Sequence, residues 1–361
     1  HKDYKYGSRD YIIFNEVDTD SININVWMDW IASDDPRTMY QIPSSGQVVN
    51  TFPTKTFRLP VDKQAVLKSG VVALKDQAKI VPYIDVTIKD EVIYKNRLLM
   101  LDIIANNNWQ RPIYFSGGSF GDDDYLWMKD YLQMDGVVYK LVPIKTPVDK
   151  DNPFDMGRVD ADKSYEIVKN WDWGNSGDPA VYHDIETRRN GLTYRSNLAR
   201  IAEALLKENK LDKAREILDL AMEKMPVDTF AFYSLLEPYM QMYYRVNQPE
   251  KARDIYAQLA VVYQEKLLYF SSFKTNEQID MRREIYTDME RYRAVVTVLL
   301  AEDTKQYALT EAMKFNEYIK LFPYLYNPDE GIELEDQSAS NSDTEIPEEA
   351  SLQELLQSQV N

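Results

Sequence analysis

The segment that runs from Gly117 to Asp124 contains the residue types most able to bind a small ligand. Three of its first five residues are glycine, and three aspartates follow directly. A glycine loop that opens a helix can hold an anion on its backbone N–H groups, whereas neighbouring carboxylates favour a divalent cation. A third interpretation is purely structural: the glycines shape a turn, and the acids stabilise a helix N-terminus.

The surrounding sequence does not favour a phosphate or a nucleotide cofactor. The loop has no Lys or Arg, its aspartates would repel a phosphate, and neither the G-x-G-x-x-G pattern nor the Walker pattern is present. A divalent metal at Asp122–Asp124 is no better supported than a phosphate, so no cofactor is predicted and no metal ligand is assigned. The candidate ligand-binding residues are Gly117, Gly118, Ser119, Asp122, Asp123, Trp109 and Arg111.

No group of residues forms a complete catalytic set. The absence of cysteine excludes disulfides, thiolate metal sites and a cysteine nucleophile. Only two histidines are present, and His183 beside Asp184 is interpreted as a surface residue of a loop. Asp34 and Asp35 lie in a predicted turn without a partner for acid–base chemistry. No catalytic residue is predicted.

Tryptophan offers a second kind of contact. All six tryptophans lie in the first half of the chain, at positions 27, 30, 109, 127, 171 and 173. An exposed indole can stack on a sugar ring, although tryptophan is more often part of a core or an interface. Carbohydrate binding is therefore a hypothesis that requires some of these rings to be exposed.

The candidate loop ends a unit that spans residues 97–118. Apolar residues on nearly every side of 98–104 predict a buried helix, and the three asparagines at 106–108 are expected to end it. Arg111 and Pro112 return the chain to extended geometry. Residues 113–115 are then typical of a strand.

The first part of the chain alternates between the two kinds of secondary structure. Strands are predicted at 51–59, 80–88, 112–115 and 137–143, and helices at 22–32, 63–70, 97–105 and 122–136. This order favours parallel strands with helices packed on them. We expect residues 1–145 to form an α/β domain with a mixed or parallel sheet, and residues 146–185 to form a connector.

Residues 186–326 are predicted to form an all-α domain of repeated helix pairs. In the first pair, small and apolar residues recur at helical spacing, and Pro226 follows. These residues are Leu198, Ala202, Leu205, Ala214, Leu218 and Ala221. The pattern resembles the tetratricopeptide repeat, a 34-residue helix hairpin, although Ala214 and Ala252 are 38 residues apart (252 − 214). The third pair, at 278–322, retains only helical periodicity, and three stacked pairs would form a short solenoid.

The net charge is −17, and much of it lies at the C-terminal end. From residue 329 onward there are ten acidic residues and no Lys or Arg, so −17 − (−10) = −7 remains for the rest of the chain. This balance argues against a nucleic-acid partner, and the composition of 327–361 predicts disorder. No apolar run of about 18 residues and no signal-peptide pattern are present. From its opening residues, HKDYKYGSRDY, we expect the chain to be a fragment of a larger protein.

Three segments carry a family resemblance: FPTKTFRLPVDK, LLMLDIIANNNWQRPIYFSGG and GVVYKLVPI. Through them, residues 10–325 resemble the soluble C-terminal region of a bacterial family of multi-pass membrane proteins akin to protein O-mannosyltransferases. That family combines a glycosyltransferase-C-like membrane half with tetratricopeptide-like repeats at the C-terminus. The resemblance implies an extracytoplasmic (periplasmic) location and sugar transfer from a lipid carrier. It also implies that the catalytic acid lies in the membrane half, so no catalytic residue is carried over to this chain.

Two functional hypotheses follow, together with a third in which the chain is only a structural spacer. The leading one is a non-catalytic accessory module of a membrane protein glycosyltransferase, whose repeats bind protein or glycan. Its other expected partner is the membrane domain of the full-length parent. The alternative is an α/β domain that binds a small ligand or a metal through the Gly117–Asp124 loop.

Overall fold

The computed structural model describes residues 11–16, 21–117, 121–148, 156–231 and 233–325. The chain divides into two compact units, one ending at Asp160 and the next beginning at Ala161. Within the described residues, no helix is long and apolar enough to cross a membrane. The acidic segment at 327–361, for which disorder is predicted, lies outside the described residues.

The first unit is a mixed α/β structure of short elements. Its strands are β1 (Tyr11–Ile13), β2 (Ile22–Asn23), β3 (Met39–Gln41), β4 (Val48–Asn50), β5 (Thr56–Pro60), β6 (Tyr83–Thr87), β7 (Val92–Tyr94), β8 (Tyr114–Phe115), β9 (Leu132–Asp135), β10 (Val138–Leu141) and β11 (Arg158–Val159). Its α-helices are α1 (Ile24–Ala32), α2 (Lys63–Lys68) and α3 (Lys95–Asn107).

These strands form small sheets with mostly antiparallel pairing. The largest sheet has the order β11-β9-β10-β8, and a three-stranded sheet has the order β2-β5-β6. Only β2 with β5 and β11 with β9 are parallel among the described strand pairs. The predicted mixed α/β class is confirmed, but the expectation that its strands would run parallel is wrong. One reason is the tight turn at Gly136 (φ +73°), which makes β9 and β10 an antiparallel hairpin.

The predicted helix over 122–136 is not formed. The chain makes two single 3₁₀ turns, Asp123–Tyr125 and Lys129–Tyr131, and then enters β9. Leu126 and Trp127 both adopt positive φ angles (53° and 57°), which interrupt any helix between those turns. Apolar and polar residues then alternate over 132–135, which is the period of a strand.

Helix α3 forms as predicted, but it is not buried on every side. Leu101 is fully buried and Ile104 is 4% exposed, whereas Leu99 and Ile103 are 66% and 63% exposed. The helix therefore packs one face on the unit and presents an aliphatic stripe outward. Asn108 ends it in the left-handed conformation (φ 46°), as the asparagine run predicted.

The core of the first unit is centred on Trp27 of α1. Its indole stacks on the Phe52 ring with centroids 3.6 Å apart, and its Nε1 donates to the carbonyl oxygen of Thr54 at 3.0 Å. Phe57 of β5 approaches the same indole at 5.2 Å. One aromatic side chain thus joins α1, β5 and the segment before β5.

The regular secondary structure of the second unit is all helical within the described residues, and an irregular segment at 170–184 separates its first two helices. Its helices are α4 (Ala161–Lys169), α5 (Ile185–Lys207), α6 (Leu211–Lys224), α7 (Val227–Phe230), α8 (Glu237–Arg245), α9 (Pro249–Ser271), α10 (Thr275–Asp280), α11 (Arg282–Glu302) and α12 (Lys305–Ile319). The predicted helical class of this half of the chain is confirmed. Helix α4 falls inside the segment predicted as a connector, and it packs on α5.

Three helix hairpins stack in the second unit: α5 with α6, α8 with α9, and α11 with α12. The first helices of successive hairpins are neighbours, since α8 contacts α5 and α11 contacts α8. The six residues of the first hairpin that were predicted to face each other are all fully buried. The short helices α7 and α10 are inserted between hairpins, which explains why the sequence repeat departs from 34 residues.

The last helix of the described residues has a polar outer side. Helix α12 buries Ala308, Ala312 and Phe315 against its neighbours. Its opposite side exposes Gln306, Thr310, Lys314, Glu317 and Lys320, with Met313 as the exposed apolar residue. A polar outer face is the usual feature of a terminal repeat.

Asp303 joins the second hairpin to the third. The Asp303 side chain is 2% exposed. Its carboxylate accepts hydrogen bonds from Nε of Arg253 at 2.8 Å and from Nη2 of Arg253 at 2.5 Å. The hydroxyl of Tyr244 and the backbone N–H of Thr304 donate to the same carboxylate. The Arg253 guanidinium holds the pKa of Asp303 well below its usual range.

We expect Asp303→Asn to lower the free energy of unfolding by about 2 kcal/mol or more, because it leaves Arg253 without its bidentate partner.

Since the pKa of Asp303 is lower in the folded state, the pair stabilises the fold at neutral pH. This stabilisation is lost as the pH falls below the pKa of an unfolded aspartate, about 4. Urea unfolding between pH 7 and pH 2 should therefore show the difference between wild type and variant shrinking below about pH 4. Asp254→Asn, on the exposed side of α9, is the control and should change little; an equal loss in the control would contradict the assignment.

Candidate functional site

The predicted ligand loop is only partly within the described residues. Gly117 is described, and its positive φ of 79° is a conformation that glycine tolerates best. A Cβ at this position would also lie 3.1 Å from the carbonyl oxygen of Val137, so the strand end and the β9–β10 turn approach closely. Gly118, Ser119 and Phe120 lie outside the described residues.

The three aspartates that follow the loop are neutralised by cations of the same unit. Asp122 is 2.5 Å from Nζ of Lys89 and 3.1 Å from Nζ of Lys129. Arg97 of α3 bonds both Asp123, at 3.0 Å, and Asp124. Burial raises the pKa of Asp122, but the two ammonium groups outweigh that effect and hold it below its usual value.

A metal ion at these aspartates would have to displace the lysine and arginine side chains that already pair with them. Within the described residues, no group of three or more metal-ligating side chains is arranged to hold an ion. The acids therefore form ion pairs within the first unit, and they do not stabilise a helix N-terminus, because the helix expected there is not formed. Arg97, which pairs with Asp123 from 26 residues away, has no sequence signal that links it to the loop.

A groove lies at the start of α3, directly beside Asp123. It has a volume of about 400 Å³, and it is lined by Tyr94, Lys95, Asn96, Arg97 and Asp123. The ring of Tyr94 is 53% exposed and has the Tyr11 ring edge-on at 6.3 Å. An exposed ring beside an amide and charged groups can contact a small polar ligand such as a sugar.

Trp109 and Arg111, the other predicted site residues, do not line this groove. Trp109 is 6% exposed, and its Nε1 donates to the carbonyl oxygen of Pro60 at 2.8 Å. Both residues border a separate small cavity with space for about one water molecule, 10 Å³. Trp109 is therefore a core residue whose ring is not presented to a sugar.

A polar row that the sequence did not predict crosses the four-stranded sheet. Arg158 pairs in register with Gln133, Gln133 with Lys140, and Lys140 with Tyr114. Gln133 and Lys140 are 2% and 1% exposed. The alternation of Gln133 and Asp135 with apolar neighbours was the available signal, and the wrongly predicted helix over 122–136 concealed it.

This polar row is hydrogen-bonded to its neighbours from end to end. Lys140 Nζ lies 3.2 Å from Oδ2 of Asp135, with both side chains almost fully buried. Asp135 also accepts from the Tyr114 hydroxyl at 3.2 Å and from Gln133 Nε2 at 2.8 Å. Arg158 donates to Gln133 and to Asp76, each at 2.7 Å. Because these groups satisfy one another, the network is suited to holding the sheet and β11 together.

We expect Lys140→Met to lower the free energy of unfolding by about 3 kcal/mol or more, because it leaves the Asp135 carboxylate buried without its cation. Lys145→Met, at an exposed position four residues from the end of β10, is the matched control. Chemical denaturation of the two variants measures the difference. Equal effects in both would show that the buried ion pair has no special role.

In the second unit, His183 is a packing residue. Its Nε2 is 3.0 Å from the carbonyl oxygen of Ser176, and its ring lies 4.9 Å from that of Phe230. The adjacent Asp184 caps α5 by accepting from the backbone N–H of Thr187 at 2.7 Å.

Arg195 of α5 is the most deeply buried arginine described, and it binds backbone carbonyls rather than a carboxylate. Its Nη2 donates to the carbonyl of Met225 at 2.7 Å, and its Nη1 donates to that of Ala231. Burial lowers its pKa to about 10. The Tyr239 hydroxyl in turn donates to the Arg195 carbonyl oxygen at 2.7 Å. Arg195 thereby ties the turn around α7 to α5 and α8.

Together these features define a two-unit protein: a mixed α/β unit that carries a polar surface groove, followed by a stack of helix hairpins. The family model described as TMEM260-associated domain 2 matches residues 1–163. The match covers the first unit and the start of α4, and it leaves the hairpin stack outside. No curated protein is matched, and no solved structure is matched. The match is compatible with the membrane-protein resemblance and carries no mannosyltransferase assignment.

Proposed function

We propose that this chain is a non-catalytic, extracytoplasmic accessory module of a membrane protein glycosyltransferase, and that its helix hairpins bind protein or glycan. The similarity of residues 1–163 to a TMEM260-associated domain supports the membrane-protein context. The tetratricopeptide-like pattern of the first hairpin supports a binding role, because stacked helical repeats form extended surfaces that suit partners.

The stacking of three hairpins is the observation that carries the proposal. The first helices, α5, α8 and α11, lie side by side, so their outward faces form one continuous surface. Among the residues of α11, Tyr286 is 58% exposed. An exposed aromatic residue on a rigid scaffold is a common anchor for a partner.

A non-catalytic role agrees with how the chemically able side chains are used. Asp122, Asp123 and Asp124 are paired with Lys89, Lys129 and Arg97. Asp135 is saturated by Lys140, Tyr114 and Gln133. Each of these carboxylates is thus engaged in an ion pair within the first unit, which is a structural use of the group.

The catalytic part of the proposal is tested by supplying the purified chain with a lipid-linked sugar and acceptor peptides, in the absence of any membrane domain. We expect no glycopeptide by mass spectrometry. Addition of the chain to a preparation of the parent's membrane domain should raise transfer by that domain. Sugar transfer by the chain alone would overturn the proposal.

The binding part is tested on immobilised glycan and peptide arrays. We expect the chain to be retained, and Tyr286→Ser to weaken retention because it removes an exposed ring from the hairpin surface. Leu74→Ser is the matched control, since Leu74 is 69% exposed but lies in the first unit. Retention that is lost equally in both variants, or absent from both arrays with the wild type, would contradict binding by the hairpins.

A second candidate function is small-ligand binding in the groove at the start of α3. Its volume of about 400 Å³ and the exposed Tyr94 ring favour a ligand the size of a sugar or sugar phosphate. We expect such a ligand to raise the melting temperature, and Asp123→Asn to abolish the rise. Asp102→Asn, on the exposed side of the same helix, should leave it unchanged. No shift with a panel of divalent metals, sugars and sugar phosphates would remove this candidate.

A further inference from the structure

The groove at the start of α3 is bordered by polar groups that use only part of their hydrogen-bonding capacity. It has a volume of about 400 Å³ and is lined by Tyr94, Lys95, Asn96, Arg97 and Asp123. Pockets of this size commonly hold small molecules through a few polar groups and an apolar wall. The donors and acceptors that remain open at its edge therefore indicate the class of ligand.

Asp123 keeps one carboxylate oxygen open. Nε and Nη2 of Arg97 both donate to its Oδ2, at 3.1 and 3.0 Å. No group among the described residues donates to Oδ1, and the side chain is 42% exposed. A carboxylate oxygen accepts and does not donate, so Oδ1 suits a ligand that presents a hydroxyl donor.

Asn96 offers the complementary group. Its Oδ1 accepts from the backbone N–H of Arg97 at 2.9 Å. Because a backbone N–H can only donate, this bond fixes which end of the amide is oxygen and which is nitrogen. Nδ2 of the exposed Asn96 donates to no group within the described part of the chain, so it is open to an acceptor on a ligand.

Tyr94 supplies an apolar surface beside these two groups. It pairs with Tyr11 across β7 and β1, and the Tyr11 ring stands edge-on to it with centroids 6.3 Å apart. This contact positions the Tyr94 ring while leaving it 53% exposed. An exposed aromatic ring can pack against the C–H groups on one side of a sugar ring.

The charges around the groove cancel, which favours a neutral ligand. Lys95 and Arg97 contribute two positive charges. Asp123 and Asp124, which both bind Arg97, contribute two negative charges. A phosphate is best held by cations without carboxylate partners, and a divalent cation by several carboxylates without cationic ones. The described lining of the groove has neither a surplus of positive charge nor a set of unpaired carboxylates.

We propose that this groove binds a neutral sugar residue of a glycan, with one hydroxyl donating to Oδ1 of Asp123, another accepting from Nδ2 of Asn96, and the ring packed on Tyr94. The inference rests on the second candidate function, small-ligand binding in this groove, and names the class of ligand. A sugar suits the site because each hydroxyl can both donate and accept, and because its C–H face is apolar.

The test uses saturation-transfer NMR and titration of the full chain with the methyl glycosides of glucose, galactose, mannose and N-acetylglucosamine, and with glucose 6-phosphate. We expect at least one neutral glycoside to bind, and glucose 6-phosphate to bind no more tightly. Tyr94→Ala should weaken binding of the glycoside about tenfold. Tyr83→Ala is the matched control, since Tyr83 on β6 of the same unit is 41% exposed and does not line the groove. It should leave the affinity unchanged.

A substitution of almost identical shape tests the amide. Asn96→Asp retains an oxygen that can accept from the Arg97 N–H, but it replaces the Nδ2 donor with an acceptor. We expect about a tenfold loss of glycoside affinity with an unchanged melting temperature. Gln110→Glu, at an exposed position just beyond the end of α3, adds the same charge and should have no effect. Unchanged affinity in Asn96→Asp would overturn the proposed recognition.

The remaining outcomes separate this inference from the functions on which it builds. Tighter binding of glucose 6-phosphate than of every neutral glycoside would overturn the neutral-sugar assignment and leave the small-ligand candidate standing. Failure of all four glycosides to bind would also overturn it, and a melting-temperature rise with a divalent metal would then still support the small-ligand candidate. Array retention that depends on Tyr286 would leave the hairpin proposal standing in either case.

Discussion

A buried ionised side chain needs a partner of opposite charge or several hydrogen bonds. This constraint organises the interior of both units. In the first unit it produces the network that joins Lys140, Asp135 and Arg158 across the four-stranded sheet. In the second, the Arg253–Asp303 pair joins two hairpins that otherwise meet through apolar packing. Many of the strands and helices are short. Hydrophobic burial alone does not specify how such elements align with one another, whereas these directional contacts do.

The same constraint accounts for the partners of other charged groups. Arg195 meets it with backbone carbonyls, and Asp122 meets it with two lysines. It is met only in part at Nε of Arg195 and at Nε and Nη2 of Arg291, which are buried without a hydrogen-bond partner among the described residues.

Sequence patterns predicted the helical half well because its signal is local. Leu198, Ala202 and Leu205 recur at helical spacing, and each is fully buried as that spacing requires. The end of α3 was equally local, since Asn108 adopts the left-handed conformation expected of an asparagine that ends a helix. In these cases the residues that decide the structure are neighbours along the chain.

The first unit was harder to predict because its decisive contacts are distant. Strand order and direction depend on pairings such as Tyr114 with Lys140, which no local pattern reports. The aspartates after Gly117 suggested a ligand, but their partner Arg97 lies on α3, far back in the chain. Leu99 and Ile103 were predicted to be buried, but they are exposed. Apolar composition indicates that a helix is buried without indicating which of its faces is covered. The Tyr94 groove brings together residues from two separate segments, so it becomes visible only once the chain is folded.

The charged outer side of α12 also limits how this protein can assemble. A stack of hairpins has an open end on which another hairpin, or the stack of a second molecule, could continue the same packing. The exposed side of α12 at that end carries Lys314, Glu317 and Lys320. Packing a second stack against them would desolvate three charged side chains, which is unfavourable. Head-to-tail growth into filaments is therefore disfavoured at this end.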